Sequence, residues 1–364
     1  MKVIMTGGGT GGHIYPAIAI ADKIMERTEG SEILFVGTSH GMEKDLVPAA
    51  GYPIKFITVR GINRRNLIKN FKVLMDYKKG KKQAKKIIEE FQPDYVIGTG
   101  GYASGPIVKV ASSMGIPSFI QEQNAFPGVA NKMLEKHVKN VFLGFEEGGK
   151  YFKHPEKHIV TGNPVRASFF NFDRDSARAK LGLKDEHFMI LVFGGSLGAG
   201  KINRAMLDVI EKYSGKDEVQ LFFATGKSYY EPIMTELTDR EISLKDNIHI
   251  QEYIENMQDY LAAADLVVSR SGALTVSEIA ITGRPSILIP SPNVTGDHQT
   301  FNARAISDKG GAILMREDQL EQGILFDELE RLRNNKALLE SMREQTLKCA
   351  PMDAADIIYY SLIT

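Results

Sequence analysis

The sequence predicts an α/β protein of two similar units, each a doubly wound parallel sheet. Three observations carry that expectation. Short apolar runs of strand length alternate with longer segments of helical period, the rhythm of strand–helix–strand units. Each half opens with a strand that runs into a glycine loop and then a helix. A chain of 364 residues also suits two domains of roughly 100–200 residues each.

In the first half the strand-length runs are 3–6, 33–36, 54–58, 95–98, 118–121 and 141–143. In the second they are 189–193, 219–224, 248–251, 266–269, 286–289 and 312–314. Many junctions carry Gly, Ser, Asn or Asp, which favour turns and helix caps. The joint between units is expected at Gly162-Asn163-Pro164-Val165-Arg166, because proline halts regular structure and an aromatic, acidic stretch follows it. That sets the domains at 1–163 and 164–345. The tail from about Glu340 reads as helix, breaks at Pro351 and resumes.

Composition excludes several classes. Hydrophobic and charged contents of 43% and 25% are those of a globular chain, not a disordered or collagen-like one. The single Cys349 allows no internal disulfide and no thiolate metal cluster, which fits a reducing cytoplasm. No run approaches the roughly 18 apolar residues of a membrane span, and the glycine-rich start does not read as a signal peptide. None of the eight histidines stands in an H-E-x-x-H motif, so no zinc site is expected.

Formal net charge is zero, which tells against general nucleic-acid binding. The zero is the sum of +8 over residues 1–162 and −8 over 163–364. Between Arg60 and Lys86 stand eleven basic residues and one acid, Asp76. These include Arg64, Arg65, Lys69, Lys72, Lys78, Lys79 and Lys82, interleaved with Phe71, Leu74 and Met75. A solvated helix face is the ordinary explanation. So dense a charge is self-repulsive, however, and each basic residue gains about 1 kcal/mol near an anionic bilayer. An amphipathic surface for anionic lipid is therefore the expectation. Nucleic acid is not, since no aromatic stacking platform accompanies the charge.

Three glycine loops end strands. Gly7-Gly8-Gly9-Thr10-Gly11-Gly12-His13 has G-x-G-x-x-G spacing, which lets backbone N–H groups approach a phosphate at a helix N-terminus. A dinucleotide site also needs a carboxylate at the tip of the second strand. That tip is Gly37-Thr38-Ser39-His40, without one. Gly195–Lys201 nearly matches the G-x-x-x-x-G-K-[ST] nucleotide loop but has Ile202 in place of the magnesium-binding hydroxyl. The third loop is Gly98–Pro106. Three such loops at the carboxyl edges of strands point to a phosphorylated ligand. Asp173-Arg174-Asp175 has D-x-D spacing but opens a helix, where carboxylates serve as caps. Ser269–Glu278 runs from a strand into a helix. It reads either as a capped helix start or as N–H groups, hydroxyls and a carboxylate for a diphosphate and ribose.

Taken in order, Gly7–His13, Gly100–Pro106, Gln121-Glu122-Gln123-Asn124, Gly162–Arg166, Gly194–Ala199 and Arg270–Glu278 resemble the MurG family. These are bacterial N-acetylglucosaminyltransferases that convert lipid I to lipid II in peptidoglycan synthesis. The resemblance implies a GT-B fold: two Rossmann-like domains facing across a cleft, with the C-terminal segment 346–364 completing the first. It implies UDP-GlcNAc on the second domain, with uracil at Ile254 and Arg166 and ribose at Glu278. The diphosphate would lie at Ser196 and at the helix start Ala273, Leu274, Thr275, Val276 and Ser277. The sugar would lie against Asn124, Gln299 and the Thr10, Gly11, Gly12 loop. Gly9, Gly100, Gly101, Tyr102 and Asn131 would meet the acceptor, lipid I. The protein would sit peripherally on the cytoplasmic face of the membrane, with no cofactor and no metal. One departure is visible: several relatives have His before the Glu of the E-Q-N segment, where this chain has Gln121.

The implied reaction is a single inverting displacement, in which the muramyl 4-hydroxyl attacks the anomeric carbon of UDP-GlcNAc and releases UDP. It needs a base and donors for the charge developing on the diphosphate. His13 is the first candidate base. Glu122 is the second, or orients His13. The plain alternative for His13 is that it caps the first helix or positions its loop. Three other activities stay open at this stage: glucosyl transfer to diacylglycerol, UDP-GlcNAc epimerisation, and non-catalytic UDP-sugar binding at a membrane.

Overall fold

The structure, a computed structural model, describes residues 1–61, 69–195 and 197–364, without the side chains of 69–72, 295, 321 and 322. Contacts divide the chain into two units, 1–166 with 351–364, and 167–350.

The first unit holds a seven-stranded sheet in the order β3-β2-β1-β4-β5-β6-β7, every neighbouring pair parallel. Its strands are β1 (Lys2–Gly7), β2 (Glu32–Gly37), β3 (Ile54–Phe56), β4 (Tyr95–Gly100), β5 (Ser118–Glu122), β6 (Asn140–Leu143) and β7 (His158–Val160). Six were expected. The seventh, β7, is a three-residue edge strand at the end of a lysine- and proline-bearing turn, too short to register as a periodic run. Along β1, Val3 and Met5 pack into one core layer and Ile4 into the other. That alternation is what a sheet covered on both faces requires.

The second unit repeats the plan with six parallel strands in the order β10-β9-β8-β11-β12-β13. They are β8 (Phe188–Phe193), β9 (Val219–Ala224), β10 (Ile248–Gln251), β11 (Leu266–Ser269), β12 (Ser286–Leu288) and β13 (Ala312–Leu314). In each sheet the order reverses once, between β1 and β4 and between β8 and β11. Ligands of open α/β sheets bind beyond the strand ends at such a reversal. Each of the glycine loops picked out above starts at the end of β1, β4 or β8.

Domain limits differ from those expected. The first joint falls at Arg166/Ala167 rather than 163/164, and Asn163 is wholly buried in the first unit, where its Nδ2 donates to Gln123 O at 3.0 Å. The returning segment is shorter than 346–364. Thr346 belongs to the second unit, buried, with Oγ1 donating to Gly311 O and Met342 O, both at 2.8 Å. The return begins at Pro351, which presses on Gly162: a Cβ there would lie 2.1 Å from the proline ring.

The Ala354–Ile363 helix then lies along the Gly11–Arg27 helix, placing Ile358, Tyr359 and Leu362 in the core with Ile14, Ile20 and Ile24. Two ion pairs join the same helices, Lys23–Asp353 at 3.2 Å and Arg27–Asp356 at 2.8 Å. Partly exposed pairs contribute about 0–1 kcal/mol each, whereas truncating one buried isoleucine costs roughly 2–5 kcal/mol. Apolar burial therefore holds the tail. Among the described residues no helix is long and apolar enough to cross a membrane.

Ile358→Ala is expected to destabilise the first unit by about 3 kcal/mol, read as a lowered urea midpoint, while Asp356→Asn costs under about 1 kcal/mol. Equal effects from the two variants would refute the apolar account.

Candidate active site

At the first sheet's reversal, two glycine loops lie in backbone contact. A Cβ on Gly101, whose φ is +81°, would stand 2.4 Å from Gly8 O, and one on Gly7 would stand 2.1 Å from Thr99 Oγ1. Gly100, with φ +109°, lies against the His13 ring, where a Cβ would reach 2.7 Å from Nδ1. No side chain fits these positions.

His13 stands in the first turn of the Gly11–Arg27 helix. Its Nδ1 is 3.0 Å from Gln123 Oε1, and its backbone oxygen accepts from Thr99 Oγ1 at 2.7 Å. The helix has no acid in its first turn, and its N-cap, Thr10, makes no side-chain capping bond. Thr10 and Gly12 are exposed, so this helix start presents N–H groups and positive partial charge outward.

Glu122 departs from its expected role. It is 2% exposed, Oε1 accepts from Asn124 N and Nδ2 at 3.0 and 3.1 Å, and Oε2 accepts from Gly128 N and Asn131 Nδ2 at 3.0 and 2.9 Å. Four donors shape the 122–131 loop around this carboxylate, and the orienting partner of His13 is Gln123. Asn131 is likewise buried, its Nδ2 taken up by Glu122 and Gln121 O. It shapes the loop rather than offering an exposed acceptor contact. Asn124 is half-buried with its amide turned to Glu122, and Tyr102 is exposed beside Gly61.

The residue that sequence reasoning missed is Glu43. The tip of β2 does have a carboxylate after all, five residues beyond Thr38 and buried at 1% exposure. It points into the glycine loop. Oε2 accepts Gly9 N–H at 2.8 Å, and Oε1 accepts Thr38 N–H and Oγ1–H at 2.8 and 2.7 Å. Cβ atoms on Gly8, Gly37 or Gly41 would collide with it. The Gly9 N–H is therefore turned inward, and Gly9 supplies shape rather than a donor for an acceptor phosphate. Burial pushes the Glu43 carboxyl pKa up, but the Gly9 and Thr38 hydrogen bonds outweigh it and hold the group below the usual carboxylate range.

At the second reversal, Gly198, with φ +76°, closes on the strand-end loop opposite: a Cβ would lie 2.2 Å from Thr225 O. Two helices start here, Gly200–Tyr213 and Ala273–Thr282. Neither has an acid in its first turn or a side-chain cap, so both leave positive ends for an anion. Arg270 braces the second from behind, donating to Ile289 O, Pro290 O and the Glu317 carboxylate. Ser271 Oγ donates to Gln299 O at 2.8 Å, and Gln299 Oε1 accepts Ser291 N–H at 2.8 Å. Gln299 is thus fixed beside the helix start.

Of the five residues expected at that start, Leu274 and Thr275 are half-buried, whereas Val276 and Ser277 face the core, Ser277 Oγ bonding back to Ala273 O at 3.0 Å. Ile254 is 2% exposed, its side chain buried in the second unit. Glu278 is half-buried and Arg166 exposed at the end of the first unit. Ser196 lies outside the described residues. Ile202 is core, far from the hydroxyl role of a nucleotide loop, and Asp173 caps its helix by accepting Ser176 N–H at 2.7 Å.

Along the Lys69–Phe91 helix, Leu74 and Met75 are 53% and 59% exposed, and Lys78, Lys79 and Lys82 follow on exposed positions. The charge run is balanced at its far end, where Lys85 and Lys86 pair with Glu89 and Glu90. Arg64 and Arg65 lie outside the described residues, as do the side chains of Lys69, Phe71 and Lys72.

Residues 3–143 match the glycosyltransferase family 28 N-terminal domain and residues 189–358 the family 28 C-terminal domain. A Desulforamulus reducens protein named UDP-N-acetylglucosamine–N-acetylmuramyl-(pentapeptide) pyrophosphoryl-undecaprenol N-acetylglucosamine transferase is 45% identical over 361 residues, 98% of this chain and 97% of that one. The Bacillus subtilis protein of the same name is 40% identical over 359 residues, covering 99% and 98%. The crystal structure of Acinetobacter baumannii MurG superposes with a TM-score of 0.79 at 28% identity, covering 100% and 99%.

Because its folded pKa is depressed, Glu43 stabilises the fold above the unfolded carboxyl pKa of about 4.3, and that contribution is lost as pH falls through the folded value. Glu43→Gln, which sets a donor against donors, is expected to cost about 1–3 kcal/mol at pH 7 and to flatten the acid loss below about pH 4. Urea unfolding at both pH values checks this. Wild-type stability with an unchanged acid slope would contradict it.

Proposed function

The chain belongs to glycosyltransferase family 28, among its UDP-N-acetylglucosamine–N-acetylmuramyl-(pentapeptide) pyrophosphoryl-undecaprenol N-acetylglucosamine transferases, and from that premise we infer its reaction. It moves GlcNAc from UDP-GlcNAc to the 4-hydroxyl of the muramyl sugar in lipid I, forming a β-1,4 link and UDP. The relatives' name specifies this acceptor rather than diacylglycerol. Its two Rossmann-like parallel-sheet units are those of the GT-B class.

One observation carries the chemistry: two helices without caps or first-turn acids start at the second sheet's reversal. A leaving diphosphate gains negative charge as the glycosidic bond breaks, and preorganised N–H donors stabilise that charge more than they stabilise the bound donor. The Ala273–Thr275 start and the glycine loop before Gly200 supply those donors. Glu278 holds the ribose, and Gln299, held by Ser271 and Ser291, meets the sugar. On the other substrate the 4-hydroxyl must lose its proton as it attacks. His13 takes it, since its ring is fixed from the Nδ1 side and Glu122 is saturated with donors.

The acceptor is a membrane lipid, so the enzyme must reach a bilayer surface. The exposed pair Leu74 and Met75, with Lys78 and Lys79 one turn on and Lys82 a turn further, supports docking on anionic lipid at the cytoplasmic face.

With UDP-[14C]GlcNAc and a lipid I analogue, wild-type protein should yield labelled disaccharide, and His13→Ala should lower kcat about 10²–10⁴-fold with UDP-GlcNAc affinity, measured by calorimetry, unchanged. Donor binding without any transfer by the wild type would leave only a binding protein. Reversing Lys78, Lys79 and Lys82 to Glu should weaken sedimentation with phosphatidylglycerol vesicles by on the order of a hundredfold. Unaltered, salt-independent sedimentation would return the helix to an ordinary solvated face.

A further inference from the structure

The first unit also decides which nitrogen of His13 is available. Gln123 Nε2 lies 2.7 Å from Thr99 O. A backbone carbonyl can only accept, so the amide nitrogen faces Thr99 and the amide oxygen faces His13 Nδ1 at 3.0 Å. A second chain of contacts reaches the same answer from the other end. Asn163 Nδ2 donates to Gln123 O at 3.0 Å, which turns Asn163 Oδ1 to Gln121 Nε2, also at 3.0 Å. Gln121 Oε1 then accepts from Gln123 Nε2. Gln121, Gln123, Asn163 and Thr99 are all at most 2% exposed. Flipping any amide in the series would set donor against donor or acceptor against acceptor in a buried site.

We propose that Gln123, its polarity fixed by Thr99, Gln121 and Asn163, is a positioning residue that holds His13 in the Nδ1–H tautomer and leaves the Nε2 lone pair for the acceptor hydroxyl. This rests on reading His13 as the base. A ring that donates from Nδ1 to a neutral oxygen is oriented without an adjacent negative charge. The charged groups on surrounding elements are engaged elsewhere. Glu43, after β2, holds Gly9 and Thr38, and Glu122, on β5, holds its own loop. On the helix of His13 itself, Asp22 accepts from Tyr52, and Lys23 and Arg27 pair with Asp353 and Asp356 of the C-terminal helix. Glu26 of that helix pairs with Lys23, and the Tyr15 and Tyr102 phenols are exposed. Gly100 closes the ring's other flank, so reorientation toward β4 is blocked.

The direct test is the 15N spectrum of full-length protein labelled at histidine nitrogens, with the His13 signals assigned by their loss in His13→Ala. The expected result is a neutral ring protonated at Nδ1. A ring protonated at Nε2 overturns the proposal, and the tautomer is read on the wild-type protein itself. Function gives a second readout. Gln123→Glu places a carboxylate on Nδ1, which favours the protonated ring. The limb along which kcat/KM falls toward low pH should therefore move up by about one pH unit or more. Gln123→Leu should lower kcat by roughly tenfold or more, with the KM for UDP-GlcNAc unchanged, because the wrong tautomer is then populated. An unmoved limb in Gln123→Glu, with His13→Ala inactive, overturns the positioning role while leaving the base intact. Full activity of His13→Ala overturns the base reading itself, whatever the tautomer.

Discussion

The first unit turns on a contact that only glycine permits, the backbone of Gly100 and Gly101 pressed against Gly8 and the His13 ring. Because φ is positive at both Gly100 and Gly101, the β4 loop folds over the β1 loop without side chains between them. His13 is thereby caught between a helix start, a glycine and an amide. Its orientation follows from packing rather than from a charged partner, which suits a group that must be neutral before it takes a proton. Glu43 completes the arrangement from behind by drawing Gly9 N–H inward.

The second unit uses the same topology for different chemistry. Gly194, Gly198 and Gly226 again let backbone meet backbone, but what is presented is a pair of helix N-termini, not a titratable group. A diphosphate needs dispersed donors and a hydroxyl nucleophile needs one base, and under the proposed reaction the two sheet reversals divide these tasks. Arg270 shows how little of the local charge is spent on the ligand side: its guanidinium ties the β12 loop to Glu317.

Much of this was legible in the sequence, for physical reasons. Buried parallel strands read as apolar runs, and glycine loops stand out because no other residue substitutes for them, so twelve strands and the loops at their ends could be placed. The edge strand β7 could not, since three residues carry no period. Glu43 escaped because its carboxylate reaches back from a helix to a loop 34 residues earlier in the chain, a contact without any local pattern. Glu122 and Asn131 fitted an exposed role by residue type alone, and only the fold shows both turned inward. Gln123 carried no role of its own in the sequence, and only the fold, which sets it just beyond the end of β5, brings its Oε1 to His13 Nδ1.

In the proposed reaction His13 Nε2 receives the acceptor's proton and helix N-termini of the second unit hold the departing diphosphate. A crystal structure of the full chain with UDP-GlcNAc and a lipid I analogue measures this most directly. His13 Nε2 is expected within about 2.6–3.2 Å of the muramyl 4-hydroxyl, and the diphosphate oxygens on the Ala273–Thr275 amides. A carboxylate on that hydroxyl, with His13 out of reach, would contradict it.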